Sequence, residues 1–305
     1  MSVIQARQLT KRYGNGKGVQ SLDLEVREGE IFGFIGPNGA GKSTTIRMLL
    51  QLIAPTSGEL FVLGTRIAGD HPKLRRRIGY LPSEIRLYPD MTGKQALEFA
   101  AAAHGVDLAR SPALKYAERL QWDMKAKIKS YSLGNRKKLG ILLSILHEPE
   151  LLVLDEPTSG LDPLMQQEFY ALLRELNETR GTTVFFSTHV LTEVEKLCDR
   201  VAIIREGKLV NVATVEEITA KGGHRIEAKF QAEGDLREAY GLLRLDPEAQ
   251  FSQGHHVFHI GESLQETLKL LADKPLADLN IRRPTLEERF MDEYRKTEDR
   301  EGGER

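Results

Sequence analysis

Gly36-Pro37-Asn38-Gly39-Ala40-Gly41-Lys42-Ser43-Thr44 matches every fixed position of Gly-x-x-x-x-Gly-Lys-Ser/Thr, the loop pattern that cradles phosphates. Its flanks are those the pattern requires. Ile31-Phe32-Gly33-Phe34-Ile35 reads as a buried strand before it, and Thr44 to Leu52 reads as a helix after it. Glycines let backbone N–H groups curl around phosphate oxygens, and the helix N-terminus adds its partial positive charge. Lys42 is then placed for the β- and γ-phosphates and the Ser43 hydroxyl for Mg²⁺. The rival dinucleotide pattern Gly-x-Gly-x-x-Gly fails on spacing, because the glycines fall at 36, 39 and 41. The stretch therefore predicts a nucleoside triphosphate site.

The 305 residues are enough for about two domains. A hydrophobic share of 40% and a charged share of 29% are ordinary for a globular chain, and a net charge of -1 argues against a nucleic-acid partner. The single cysteine, Cys198, allows no internal disulfide, and Met1 to Tyr13 carries no basic and apolar leader, so the expected compartment is the cytoplasm. No apolar run reaches the ~18 residues of a spanning helix. Leu139 to Leu146 is stopped by Lys138 and His147, so any work at a membrane has to go through a partner.

Val3 to Glu28 alternates like two paired strands around Gly14-Asn15-Gly16, whose Asn-Gly step predicts a tight hairpin in an N-terminal antiparallel β layer. A short strand is expected at Arg77 to Leu81, a helix at Thr92 to His104 with Thr92 as N-cap, and helix again over Leu114 to Leu146 with a break near Lys129 to Asn135. Leu151 to Leu154, Thr183 to Ser187 and Val201 to Ile204 are continuous apolar runs, as in strands buried on both faces of a parallel sheet, with the helix Pro163 to Arg180 between the first two. The fold class is α/β. Near Lys221-Gly222-Gly223 the pattern changes. Strand-like Arg225 to Phe230, helical Leu236 to Leu243, strand-like His256 to Ile260, helical Ser263 to Ala272 and strand-like Asp278 to Ile281 predict a small α+β domain. The division expected is a nucleotide-binding domain over 1–220, an accessory domain over 224–295 and a charged, disordered tail over 296–305. The basic runs Arg75-Arg76-Arg77 and Arg136-Lys137-Lys138 read as solvated faces, with nucleotide or partner contacts as the alternative.

Asp155-Glu156-Pro157 puts two carboxylates where the strand Leu151 to Leu154 leaves the sheet, at the edge where such folds bind ligands. Asp155 is placed to hold Mg²⁺, and Glu156 to orient and deprotonate a water.

With these residues the chain resembles the nucleotide-binding subunit of an ATP-binding cassette transporter from Val3 to about Ala220. The resemblance implies a P-loop NTPase with a helical signature subdomain, and ATP and Mg²⁺ as its small molecules, held by Gly36, Asn38, Gly39, Gly41, Lys42, Ser43 and Thr44. It gives Tyr13 the part of the aromatic residue stacked on adenine. Tyr131-Ser132-Leu133-Gly134-Asn135 is similar to the signature Leu-Ser-Gly-Gly-Gln, so Ser132 and Gly134 are implied to cap the γ-phosphate held by the opposite subunit. Ser159-Gly160-Leu161-Asp162 resembles the loop between the two sites, which carries over Asp162, and Ser187-Thr188-His189 resembles the switch, which makes His189 a catalytic contact to the γ-phosphate. Where the family has a glutamine after the strand Ile78 to Leu81, this chain has Ser83 and then Glu84. Ser83 is too short for the same reach to Mg²⁺, so either Glu84 substitutes or the contact is weakened.

The implied partners are a second ATP-binding subunit, in a head-to-tail homodimer, and a separate polytopic permease that holds the chain at the cytoplasmic face of the membrane. The Ser-Leu-Gly-Asn signature, the Pro82-Ser83-Glu84 loop, the extension past Gly223 and the ending Pro284-Thr285-Leu286-Glu287-Glu288-Arg289-Phe290 resemble bacterial exporters of antibiotics, peptides or lipid-linked molecules. An importer ATPase and a soluble cassette ATPase acting on ribosomes or DNA are the alternatives. One phosphate loop, no coiled-coil insertion and a near-neutral charge weigh against the second.

Overall fold

A computed structural model of the chain describes residues 1–14, 16–220, 223–261, 264–285 and 288. In order, the elements are β1 (Ser2–Arg12), β2 (Gly18–Arg27), β3 (Ile31–Ile35), α1 (Lys42–Leu49), β4 (Ser57–Val62), β5 (Thr65–Arg66), α2 (Pro72–Arg75), β6 (Ile78–Leu81), α3 (Gly93–His104), α4 (Pro112–Arg119), α5 (Leu133–Ile145) and β7 (Leu151–Asp155). There follow α6 (Pro163–Arg180), β8 (Thr183–Thr188), α7 (Leu191–Leu197), β9 (Arg200–Arg205), β10 (Lys208–Thr214), α8 (Val215–Ala220), β11 (His224–Phe230), α9 (Leu242–Leu245), β12 (Gln250–Ser252), β13 (His255–Ile260), α10 (Leu264–Ala272) and β14 (Leu276–Arg282). The chain divides into two compact units, Met1–Ala213 and Thr214–Arg305.

In the first unit β1 lies between β2 and β4, antiparallel to both, as the N-terminal alternation predicts. The β1–β2 connection differs from the expected tight hairpin. Arg12 pairs with Gly18, the loop spans 13–17, and it is closed by Tyr13 N–H on the Lys17 carbonyl at 3.0 Å. Gly16 takes the left-handed conformation there at φ 75, the arrangement of a longer hairpin loop, and Asn15 lies outside the described residues.

The second sheet has the order β10-β9-β3-β8-β7-β6, with β9, β3, β8, β7 and β6 parallel. Its apolar runs are buried on both faces, and Phe32, Phe34, Val153, Phe185 and Phe186 are fully inaccessible. Register pairs Ile35 with Thr188, Asp155 with Ser187 and Leu81 with Leu154. The loops after β3, β8, β7 and β6 therefore open at one edge, and this decides where the site can be. Cys198, the single cysteine, is buried at the end of α7 against β3, where a Cβ on Gly33 would come within 3.2 Å of its Sγ. Burial holds its thiol well above the usual cysteine range.

Helix α3 starts as predicted, with Thr92 and Gln95 forming a reciprocal capping box. Helix α1 begins at Lys42 and stops at Leu49, earlier than Leu52, because Gln51 turns to φ 60. The break predicted near Lys129 to Asn135 is longer, starting where Leu120 ends α4 and Gln121 turns to φ 48, and closing at Ser132. Lys137, read as part of a solvated basic run, is 2% exposed, because it faces inward from α5.

In the second unit the antiparallel sheet has the order β12-β13-β11-β14. Ile226, Ala228, Phe230, Phe258 and Ile260 form its core with Leu242 and Leu271 from α9 and α10. The helix expected over Leu236 to Leu243 is mostly turn. Gly241 at φ 72 interrupts it, and the Leu236 N–H donates to His256 Nε2 at 2.9 Å instead of entering a helix. Ser263, the segment Leu286-Glu287 with Arg289-Phe290, and the tail 296–305 lie outside the described residues.

Candidate functional site

The phosphate-loop segment leaves β3 at Ile35 and enters α1 at Lys42. Gly41, at φ 110, precedes the helix with no side-chain cap and no acidic residue in the first turn, so the N–H groups of that turn stay open toward an anion. Gly36 allows a close approach: a Cβ there would lie 2.3 Å from the Ile204 carbonyl oxygen. A Cβ on Gly39 would meet nothing within 4 Å, leaving clear space above the loop.

A cavity of about 580 Å³ opens over this loop, and Tyr13, Asn38, Gly39, Gly41, Lys42, Ser43, Thr44, Ser83, Glu156 and His189 all line it. Residues more than 170 positions apart thus meet at one sheet edge. Lys42 is 6% exposed, and its Nζ donates to the Gly36 carbonyl at 2.6 Å and lies 3.5 Å from Glu156 Oε1. His189 Nδ1 is 2.6 Å from Glu156 Oε2, and since a carboxylate oxygen accepts, Nδ1 is the donor in this pair. Glu156 sits at φ 48, a strained setting for a residue with a side chain.

Ser43 Oγ donates to Asp155 Oδ2 at 3.2 Å, and Ser187 Oγ donates to Asp155 Oδ1 at 3.4 Å. Burial pushes the Asp155 carboxyl above the usual range, with the Ser43 hydrogen bond opposing it. A buried carboxylate and a hydroxyl meeting beside a phosphate loop form a hard oxygen donor set, which fits Mg²⁺. Tyr13 is exposed at the mouth of the cavity, with the Lys11 ammonium 5.7 Å from its ring centroid.

Other predicted residues lie apart from the cavity. Glu84 is exposed and pairs with Arg86 at 3.1 Å, so of the two residues at the glutamine position only Ser83 reaches the lining. Ser132 caps α5 by accepting the Asn135 N–H at 3.2 Å, and Gly134 approaches the Gly160 carbonyl, where a Cβ would stand 3.2 Å away. Asp162 caps α6 by accepting the Met165 N–H at 3.0 Å. Two contributions had no signal in the sequence. Lys17, in the β1–β2 loop, joins the lining, and Lys137 sends its Nζ to 3.4 Å from the carbonyls of Pro82 and Ser83. Burial draws the Lys137 amine down to about 8, against the pull of Asp155 and Glu156.

The ABC transporter family model matches residues 19–159. The chain is 39% identical to the bacitracin transport ATP-binding protein BcrA of Bacillus licheniformis, over 74% of this chain and 74% of that one. It is 32% identical to the linearmycin resistance ATP-binding protein LnrL of Bacillus subtilis (strain 168), over 95% of this chain and 97% of that one. A solved dimeric structure of MJ0796, a bacterial ABC transporter cassette, is similar at a TM-score of 0.63 and 25% identity, covering 69% of this chain and 98% of that one. With the phosphate loop, Glu156 and His189 facing one cavity, the chain belongs to the ATP-binding cassette transporter family as an ATPase subunit.

Proposed function

We propose that this chain, as a pair of identical copies, converts ATP hydrolysis into the motion of a separate polytopic permease, at the cytoplasmic face of the membrane, in an exporter of antibiotics, peptides or lipid-linked molecules. The observation that carries the hydrolytic part is the Glu156 carboxylate, set between Lys42 Nζ at 3.5 Å and His189 Nδ1 at 2.6 Å above the phosphate loop. Lys42 and the open N–H groups of α1 bind the phosphates, and Tyr13 receives the adenine face. Ser43 and Asp155 would hold Mg²⁺. When bound there, that ion supplies positive charge to the phosphate oxygens. Glu156 takes the proton of the attacking water, and His189 fixes the carboxylate's direction through Nδ1.

Pairing is supported by the exposed N-terminus of α5. Ser132 and Leu133 face solvent and lie outside the chain's own cavity, as a contact to another copy's γ-phosphate requires, and the similar MJ0796 cassette is dimeric. Among the described residues no helix is long and apolar enough to cross a membrane, and in this reading the permease supplies the membrane path. A groove that sets Tyr88, Pro89, Met91 and Phe99 beside Asp90, Gln95 and Glu98, with Tyr88 68% and Phe99 61% exposed, suits a segment of that permease with one apolar face. It begins five residues after Ser83, so one short loop borders both the groove and the nucleotide cavity. The export direction is supported by relatives named for bacitracin transport and linearmycin resistance.

The test is affinity purification of Glu156→Gln with ATP and Mg²⁺ from detergent-solubilised native membranes, followed by mass spectrometry. Stoichiometric recovery of a polytopic membrane protein supports the reading. An accompanying external binding protein points to import, and ribosomal or DNA-bound material without a membrane protein overturns the transport role.

A further inference from the structure

Behind the wall of the nucleotide cavity lies a buried carboxylate that the mechanism above does not use. Glu193, in the first turn of α7, is 5% exposed, and among the described residues no cation pairs with it. Its partners are hydroxyl groups from three separate elements. Thr158 Oγ1 donates to Oε1 at 2.5 Å, Thr188 Oγ1 donates to Oε2 at 2.7 Å, and the Tyr170 hydroxyl bonds the same carboxylate. Thr158, Thr188 and Tyr170 are themselves at most 9% exposed.

The threonines are not placed at random. Thr158 stands two residues after Glu156 and Thr188 immediately before His189. Thr188 Oγ1 also accepts the Val190 N–H at 3.0 Å, so the turn that carries His189 is tied on both sides of the histidine. Glu156 in turn donates its N–H to the Ser187 carbonyl at 3.0 Å. The loop after β7 and the end of β8, from which the His189 turn departs, are thus held together at two levels, by this backbone bond and by Glu193 beneath it. Packing alone would not select a carboxylate here, because burying one without a cation is costly unless every oxygen finds a donor. What the arrangement achieves is a fixed separation between two loops. A residue at φ 48, such as Glu156, keeps that conformation only where its surroundings over-determine it.

We propose that Glu193 is a positioning residue for ATP hydrolysis: by gripping Thr158 and Thr188 with its two oxygens, it sets the contact between Glu156 and His189. The inference rests on the hydrolytic reading of those two residues. Glu193→Gln tests it, since the amide keeps the volume but its nitrogen cannot accept a hydroxyl proton, so one threonine loses its acceptor.

The expected result is a kcat lowered about tenfold with the KM for ATP changed less than about twofold, the pattern of an interaction lost only from the reacting state. In a His189→Ala background the same substitution should lower kcat by less than about twofold, because the element through which Glu193 acts is gone. Hydrogen exchange over 187–191 should accelerate by about tenfold in Glu193→Gln, a readout that needs no turnover. Thr158→Val and Thr188→Val, each removing one hydroxyl at constant volume, should each reproduce part of the loss, and they decide the matter if Glu193→Gln does not fold. Unchanged kcat and exchange in the folded variants, or a loss that multiplies in full onto His189→Ala, overturns the proposal. If the unaltered chain hydrolyses no ATP, the hydrolytic reading fails, and the exchange arm still decides whether Glu193 holds the two loops.

Discussion

Glu156 divides its two carboxylate oxygens between opposite partners: Oε2 lies 2.6 Å from His189 Nδ1 and Oε1 lies 3.5 Å from Lys42 Nζ. One side chain therefore joins the loop after β7 to both the loop after β8 and the phosphate loop. Glu156→Gln should keep ATP binding, slow turnover by about 10²-fold or more, and accumulate as an ATP-bound dimer. Steady-state hydrolysis and light scattering with ATP and Mg²⁺ check this, and turnover at the unaltered rate would remove Glu156 from the role of base.

Gly36→Ala should abolish nucleotide binding. The added carbon would stand 2.3 Å from the Ile204 carbonyl oxygen and 2.9 Å from Ile204 Cγ2, so the loop has to leave its place against β9. Gly39→Ala meets open space and suffers only from its φ of 82, a cost of about 1 kcal/mol. Titration of both variants with ATP should give a much larger loss for Gly36, and equal losses would contradict the close-approach argument.

Ser83→Gln should change Mg²⁺ dependence and coupled turnover while hydrolysis survives. Ser83 lines the cavity but is short, and Glu84 is held outside it by Arg86. Mg²⁺ titrations of the ATPase, alone and with the permease in vesicles, report on the two properties separately. Identical curves for variant and parent would mean that the position is silent.

Stability should fall as pH drops from about 6.5 to about 4. His147 is pulled down to about 4 by burial, with His104, stacked on it at 4.0 Å between ring centroids, adding to the shift and the Ile78 carbonyl opposing it. His104 is itself lowered by burial and by Arg76. The unfolded chain, with its imidazoles near 6.5, takes up protons first, so acid favours unfolding across that window and the contribution is flat above it. Thermal midpoints between pH 7.5 and pH 4.5 should decline, and His147→Gln, which keeps a donor for Ile78, should flatten the decline.

The core strands were legible because strands buried on both faces read as unbroken apolar runs. Leu151 to Leu154, Thr183 to Ser187 and Val201 to Ile204 all fall inside β7, β8 and β9. Helix α6 was legible to its ends, since Asp162 with Pro163 opens it and Gly181 at φ 67 closes it. What the sequence hid was of two kinds. Short elements such as β5, α2 and β12 carry too few residues to show a period. Inward-facing polar side chains were also hidden, because nothing local separates the buried Lys137 from the half-buried Lys138 beside it, or the buried Glu193 from its neighbour Glu195. Most of the residues that line the cavity announced themselves by motif, whereas the side chains that hold them are recognisable only once the loops are side by side.

Cys198 closes α7 with its sulfur packed toward Gly33 and its thiol kept protonated by burial. A maleimide reacts with an exposed thiolate, so the native folded chain is chemically silent to it. Dyes or spin labels placed on cysteines introduced near Leu133 and Ser159 would therefore report distances between two copies without any native residue having to be removed first.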